Sequence, residues 1–175
     1  MARIPETRGG GEVAERIRRR RPGGRLRPID RVLLHSPPVA DGWNTLLGTL
    51  RGGTALRPDL RELVVLRIAV LNGAAYEWDS HVADAELAGI GPKLRAALRG
   101  DDPPRPDQFD AVQRLVLALT DAMTRDITVP DDLLEDLRSR LGTSQLVELV
   151  VTVAAYNMVS RVIVALGVDS PAAPR

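Results

Sequence analysis

The chain has 175 residues, 44% of them hydrophobic and 27% charged, with a formal net charge of +1 and no cysteine. One globular domain accounts for that length and composition. The charge balance gives no global field for nucleic acid or a membrane surface, and the missing thiols exclude disulfides, thiolate metal sites and cysteine redox chemistry. Two histidines are too few for a multi-histidine metal centre, and residues 1–11 lack the apolar run of a secretory signal, so a cytoplasmic protein is expected.

Residues 1–27 are rich in Arg and Gly, with seven arginines between Arg16 and Arg27. No aromatic side chains interleave with them to stack bases, so the stretch reads as a solvated helix over 11–21 that packs on a neighbour, ended by Pro22-Gly23-Gly24. All but one of the basic residues are Arg, the exception being Lys93, a bias that a GC-rich genome explains.

From Pro28 the chain reads as helix after helix. A short one spans 28–35 and is broken at Ser36-Pro37-Pro38; the next, over 39–50, carries Trp43, Leu46, Leu47 and Leu50 at helical spacing. Residues 59–72 are apolar almost all round, which predicts a buried helix whose charges, Arg61, Glu62 and Arg67, need partners. Arg67 is a candidate to neutralise Glu62. Helices over 76–88 and 91–99 follow, then a charged, Pro-rich loop over 100–106. The stripe Phe109, Val112, Leu115, Val116, Leu119 and Met123 predicts a helix over 107–124, and Pro130-Asp131-Asp132 opens another to Leu141. The last, over 143–166, is interrupted by Glu148, Thr152, Asn157, Ser160 and Arg161, so it reads as a core or interface helix rather than a membrane span. No alternating strand pattern occurs. The expected class is all-α, with eight or nine helices around a hairpin of 59–72 and 76–88, and 169–175 as a disordered tail.

The densest polar cluster is the run from Asn72 to His81. Glu77 and His81 are four apart and share a helical face, with Tyr76 and Ser80 adding hydroxyls. If the hairpin folds back, Glu62 joins them as an acid–base relay. From the spacing alone, a surface Glu–His pair with a structural Glu62 is the favoured reading. The deciding observation is whether Glu62 and His81 face each other around a cavity or sit in solid packing.

The run RELVVLRIAVLNGAAYEWDSHVADAELAG (61–89), with LHSPPVADGW (34–43) and VAAYNMVSRVIVALGV (153–168), resembles the carboxymuconolactone decarboxylase family, which includes the alkyl hydroperoxidase D (AhpD) proteins. The resemblance covers about 28–168 and implies the AhpD-like helical bundle. The peroxidase branch of that family places a Cys-x-x-Cys twelve residues after a Glu and a His four residues beyond. Glu62 and His81 match the Glu and His, whereas Ala74 and Glu77 stand at the two cysteine positions. The thiol cycle is therefore impossible, and the form resembles the cysteine-free decarboxylase-type branch. The resemblance implies a cofactor-free, metal-free lyase acting on a small organic acid or lactone. His81, Glu77, Glu62 and Tyr76 would be catalytic, and His35, Arg161, Asn157 and Trp78 would bind substrate. It also implies a homo-oligomer, a trimer or hexamer, with no nucleic-acid or membrane partner. A non-catalytic scaffold that kept the fold is the competing reading.

Overall fold

A computed structural model describes residues 3–100 and 104–168. Its helices are α1 (Glu12–Arg20), α2 (Pro28–Leu33), α3 (Pro37–Gly52), α4 (Pro58–Leu71), α5 (Ala75–Leu87), α6 (Pro92–Gly100), α7 (Ala111–Arg125) and α8 (Asp131–Leu166), with 3-10 turns at Pro22–Gly24 and Pro106–Gln108. Among the described residues there is no strand. The tail expected over 169–175 lies outside the described residues.

Helix α4 is the hub. Leu60, Leu63, Val64, Val65, Leu66 and Ile68 are completely buried, each stabilising the fold by about 1.5–3 kcal/mol. They pack chiefly against α5 and α7, with α8 and α6 closing the remaining sides. The turn from α4 to α5 is short because Gly73 takes a left-handed φ of 63°. This lets the amide of Ala74 donate back to the Ala69 carbonyl at 2.8 Å, satisfying a helix-end acceptor. The two helices consequently run antiparallel as one hairpin.

The charges of α4 find partners inside the bundle, but not all as expected. Arg67 does not neutralise Glu62. It forms a two-pronged pair with Asp121 of α7, at 2.7 and 2.6 Å, while Glu62 takes Arg61 at 3.1 Å. Helical spacing is the reason: Arg67 is five residues beyond Glu62 and points toward α7.

Two boundaries differ from the sequence reading. Pro37 and Pro38 start α3 rather than precede it, because the first helical amides need no intrahelical acceptor and proline costs nothing there. Helix α7 starts at Ala111, not near 107. Asp110 and Gln113 form a reciprocal capping box that sets the start, and Phe109 is buried just ahead of it.

Helix α8 is long and apolar enough to cross a membrane by length and composition, yet half of its most apolar window is buried against the other helices. Its buried face carries Leu149, Val153, Tyr156 and Ile163. Val147, Val151 and Met158 lie on the opposite side, exposed by 56%, 39% and 37%. The helix is interrupted at Gly142, with φ 77° and ψ 164°, where the sequence predicts one helix ending and another beginning. A Cβ at Gly142 would meet no atom within 4 Å, so only the backbone demands glycine there. Gly142→Ala should therefore destabilise the fold by about 1–3 kcal/mol, measured by urea unfolding, although the added methyl has free space.

Candidate functional site

The hairpin brings together residues that lie 19 apart in the chain. His81 of α5 points into the α4–α5 seam and its Nδ1 donates to Glu62 Oε2 at 2.7 Å. Both side chains are almost wholly buried, His81 at 1% exposure and Glu62 at 2%. Glu62 uses its other oxygen to accept from Arg61 Nε at 3.1 Å, and Arg61 in turn donates to the backbone carbonyl of Arg51 at 3.1 Å. One turn before His81, Glu77 presents Oε1 to His81 Nε2 at 3.2 Å. That oxygen is buried and makes no hydrogen bond, so it faces the imidazole as an ion-pair partner only.

Nε2 has a second neighbour. Arg51, from the end of α3, places Nη2 3.0 Å away, and its Nε donates to the Tyr156 hydroxyl of α8 at 2.9 Å. The Tyr156 ring meets the imidazole edge-on at 5.5 Å. Glu77 and Arg51 therefore compete for one nitrogen. When His81 is neutral, Nε2 accepts from Arg51; when it is protonated, Nε2 carries a proton toward Glu77. Glu62 holds the far nitrogen in both states and fixes the tautomer.

The electrostatics follow from this packing. Burial pushes His81 down, but the Glu62 and Glu77 carboxylates outweigh burial and the opposing Arg51, leaving its value above the usual 6.5. Burial pushes Glu62 up, and His81 with Arg61 brings it below its usual value. Burial also opposes the charge of Arg51, yet Tyr156, Glu77 and Glu62 hold it firmly protonated. The hydroxyls of Tyr76 and Tyr156 are both raised, burial being the main cause.

The remaining candidates are dispersed. Tyr76 is buried on α5, facing the backbone of Ile29 and the charge of Arg27. Trp78 lies under the Arg99 guanidinium, 4.0 Å from the ring centre, in the wall of a cavity of about 320 Å³ with Ala69, Val70, Gly73 and Ala75. His81 is not among the residues that line that cavity. Asn157 accepts from Asn72 at 3.0 Å and donates to Thr124 at 2.9 Å, tying α8 to α4 and α7. Arg161 is exposed on α8. His35 is exposed, with Nε2 2.7 Å from the Pro5 carbonyl. The structure thus assembles Glu62, Glu77 and His81 and leaves His35, Asn157, Arg161 and Trp78 outside that group.

Two members of the site were missed in the sequence. Arg51 opens the Arg-Gly-Gly that ends α3, and nothing local marks it. Tyr156 left a signal, since a hydroxyl on the buried face of an apolar helix needs a partner.

Glu62, His81 and Asp84 offer ligand atoms within 4.8 Å of one another. They suit a proton better than a divalent ion. Nδ1 and Glu62 already share a hydrogen bond, Asp84 is exposed, and the guanidiniums of Arg51 and Arg61 crowd the same groups.

Residues 37–104 match the carboxymuconolactone decarboxylase family. The match covers less than half of the chain, and over those residues the chain is similar to that family. Its matched segment spans α3 to α6 and so contains Arg51, Glu62, Glu77 and His81. The uncharacterized protein YdfG of Bacillus subtilis (strain 168) is 28% identical over 109 residues, covering 61% of this chain and 73% of that protein. Among solved structures, an uncharacterized peroxidase-related protein with an AhpD core from Ralstonia eutropha JMP134 superposes with a TM-score of 0.79 at 18% identity, over 98% of this chain and 93% of that one. A protein of unknown function from Agrobacterium tumefaciens, described in connection with the antioxidant defence protein AhpD, gives 0.72 at 23% identity, over 81% of this chain and 96% of that one. At such identities the superpositions show the fold. The present chain has Ala74 and Glu77 and no cysteine anywhere.

The protonation equilibria predict a pH profile for stability. The raised His81 contributes stability that is complete below 6.5 and is lost as pH rises through its folded value. The lowered Glu62 contributes stability that is present above 4.5 and lost as pH falls through its folded value. The melting temperature should decline on the alkaline side of 6.5, and His81→Gln should flatten that limb in calorimetry between about pH 5 and about pH 9.

Proposed function

We propose that the chain is a cofactor-free lyase that decarboxylates or isomerises a small organic acid or lactone by proton transfer. The observation that carries this reading is the buried chain Arg61–Glu62–His81, with Glu77 and Arg51 set against the free imidazole nitrogen. For an unsaturated lactone carboxylate, the C–COO bond breaks and its electron pair moves into the conjugated carbonyl. Arg51 would stabilise the developing oxyanion, and Nε2 of protonated His81 would deliver a proton to carbon. Glu62 would support the imidazolium, and solvent would restore the proton. Sulfur chemistry has no place in this scheme, because position 77 holds a carboxylate where the peroxidase branch has its second cysteine.

Partners enter the same proposal. The exposed apolar line Val147, Val151 and Met158 on α8 supports a homo-oligomer, a trimer or hexamer. A small organic acid or lactone is the expected ligand, the expected location is cytoplasmic, and no nucleic acid or membrane is required.

A second reading has its own support. His81 is 1% exposed and is absent from the walls of the 320 Å³ cavity. Burial of this kind favours a non-catalytic member that uses the network to specify the hairpin. The two readings separate on turnover. A panel of unsaturated lactone carboxylates, followed by loss of ultraviolet absorbance and by carbon dioxide release, should show a substrate. His81→Ala and Glu77→Gln should then lower the rate by roughly 10²–10⁴ with unchanged circular dichroism. Absence of turnover, and of deuterium uptake into any substrate, would leave the scaffold reading. Neither outcome should be accompanied by dithiol-dependent hydroperoxide reduction, which a peroxidase assay of the metal-free protein checks.

A further inference from the structure

The cavity beside Trp78 is built by three helices and shares no lining residue with the His81 relay. Ala69, Val70 and Gly73 come from the end of α4 and its turn, Ala75 and Trp78 from the first turn of α5, and Arg99 from the last turn of α6. Its volume of about 320 Å³ lies at the lower end of the range for small-molecule sites. Small residues set its floor. Two alanines and a glycine leave the backbone open to close approach, and a Cβ added at Gly73 would meet no atom within 4 Å. The left-handed φ of Gly73 demands glycine there, so the opening comes with the turn itself. Half-buried Val70 and buried Trp78 supply apolar walls.

Arg99 sets the chemistry. Its guanidinium lies over the Trp78 ring, 4.0 Å from the ring centre. Such stacking uses a face of the guanidinium and leaves its five N–H donors, which lie in its plane, free for another group. Among the described residues none of those donors meets a carboxylate or a carbonyl. Arg95, one turn earlier on the same helix, is by contrast taken by Glu86 and by the Ile90 carbonyl. Arg99 is thus a positioned cationic fork at the rim of an apolar cavity. A carboxylate fits that fork through two hydrogen bonds. The rest of such a ligand must be apolar, and thin enough to lie along the indole and the floor. A flat ring meets both demands.

We infer that this cavity binds a small aromatic monocarboxylate, its carboxylate on Arg99 and its ring against Trp78. The site is separate from the relay, and occupancy requires no turnover, so the inference does not rest on the lyase reading.

The experiment titrates the full chain with benzoate, its neutral counterpart benzamide, and acetate. It reads calorimetric affinity and the indole N–H resonances of the two tryptophans, Trp43 and Trp78. Benzoate should bind saturably and shift Trp78, while Trp43, buried on α3, stays in place. Benzamide lacks the charge and acetate lacks the ring, so each should bind at least about ten-fold more weakly. Arg99→Met keeps an apolar stem on the indole but should weaken benzoate at least about ten-fold. Arg99 is exposed, so the variant should retain the wild-type circular dichroism. Ala75→Leu, at the exposed first position of α5, fills the cavity and should abolish binding. The exposed Lys93→Met on α6 should leave affinity unchanged. His81→Ala should bind benzoate as the wild type does. Wild-type benzoate affinity in Arg99→Met would overturn the inference, as would benzamide binding as tightly as benzoate. Acetate matching benzoate would overturn the aromatic class. A benzoate response lost in His81→Ala but kept in Arg99→Met would move the ligand to the relay and overturn the separate site.

Discussion

The hydrogen bond between His81 and Glu62 is the constraint on which the architecture turns. A carboxylate buried on a helix that is apolar all round would be prohibitively expensive alone. It is tolerated because α5 returns at once, through a three-residue turn, and delivers an imidazole to it. The same contact fixes the depth of α5 against α4, the tautomer of His81 and the direction in which Nε2 points. Arg61 completes the coordination of Glu62 and, by bonding the Arg51 carbonyl, ties the end of α3 to the hairpin. Fold and site share this one network.

Charge is distributed through the bundle by a consistent rule. Every buried cation on α4 meets a carboxylate: Arg67 meets Asp121, and Arg61 meets Glu62. Arg21 and Asp30 repeat the arrangement where the N-terminal segment joins α2. The N-terminal segment packs α1 on α3.

The replacement of sulfur by a carboxylate at position 77 changes the type of chemistry without altering the scaffold. A thiolate stores and transfers electrons, whereas Glu77 can only accept or release a proton and attract a cation. Its Oε1 lies buried, close to Nε2 and without a hydrogen bond. Such an oxygen raises the proton affinity of the imidazole and competes with Arg51 for it. Nε2 therefore has two competing neighbours, the Glu77 carboxylate and the Arg51 guanidinium.

Much of this was legible in the sequence. The 3.6-residue stripes, the all-round apolar run of 59–72, the proline and glycine stops and the Glu77–His81 spacing are local features, and local features set helices, breaks and shared faces. The short turn allowed Glu62 to fold back near His81, but the spacing alone favoured a surface Glu–His pair with a structural Glu62, and the hydrogen bond between them came only with the tertiary structure. What only the tertiary structure decided is everything that depends on how separate helices approach. Arg67 was assigned to Glu62 from proximity in the chain, but α7 supplied Asp121 instead. Arg51 and Tyr156, which lie 105 residues apart, meet over the imidazole because α3 and α8 cross there. Likewise Arg20 meets Asn44 only once α1 lies along α3. Periodicity records which face of a helix is buried; it does not record which neighbour buries it, and the partners of charged groups are chosen by that neighbour.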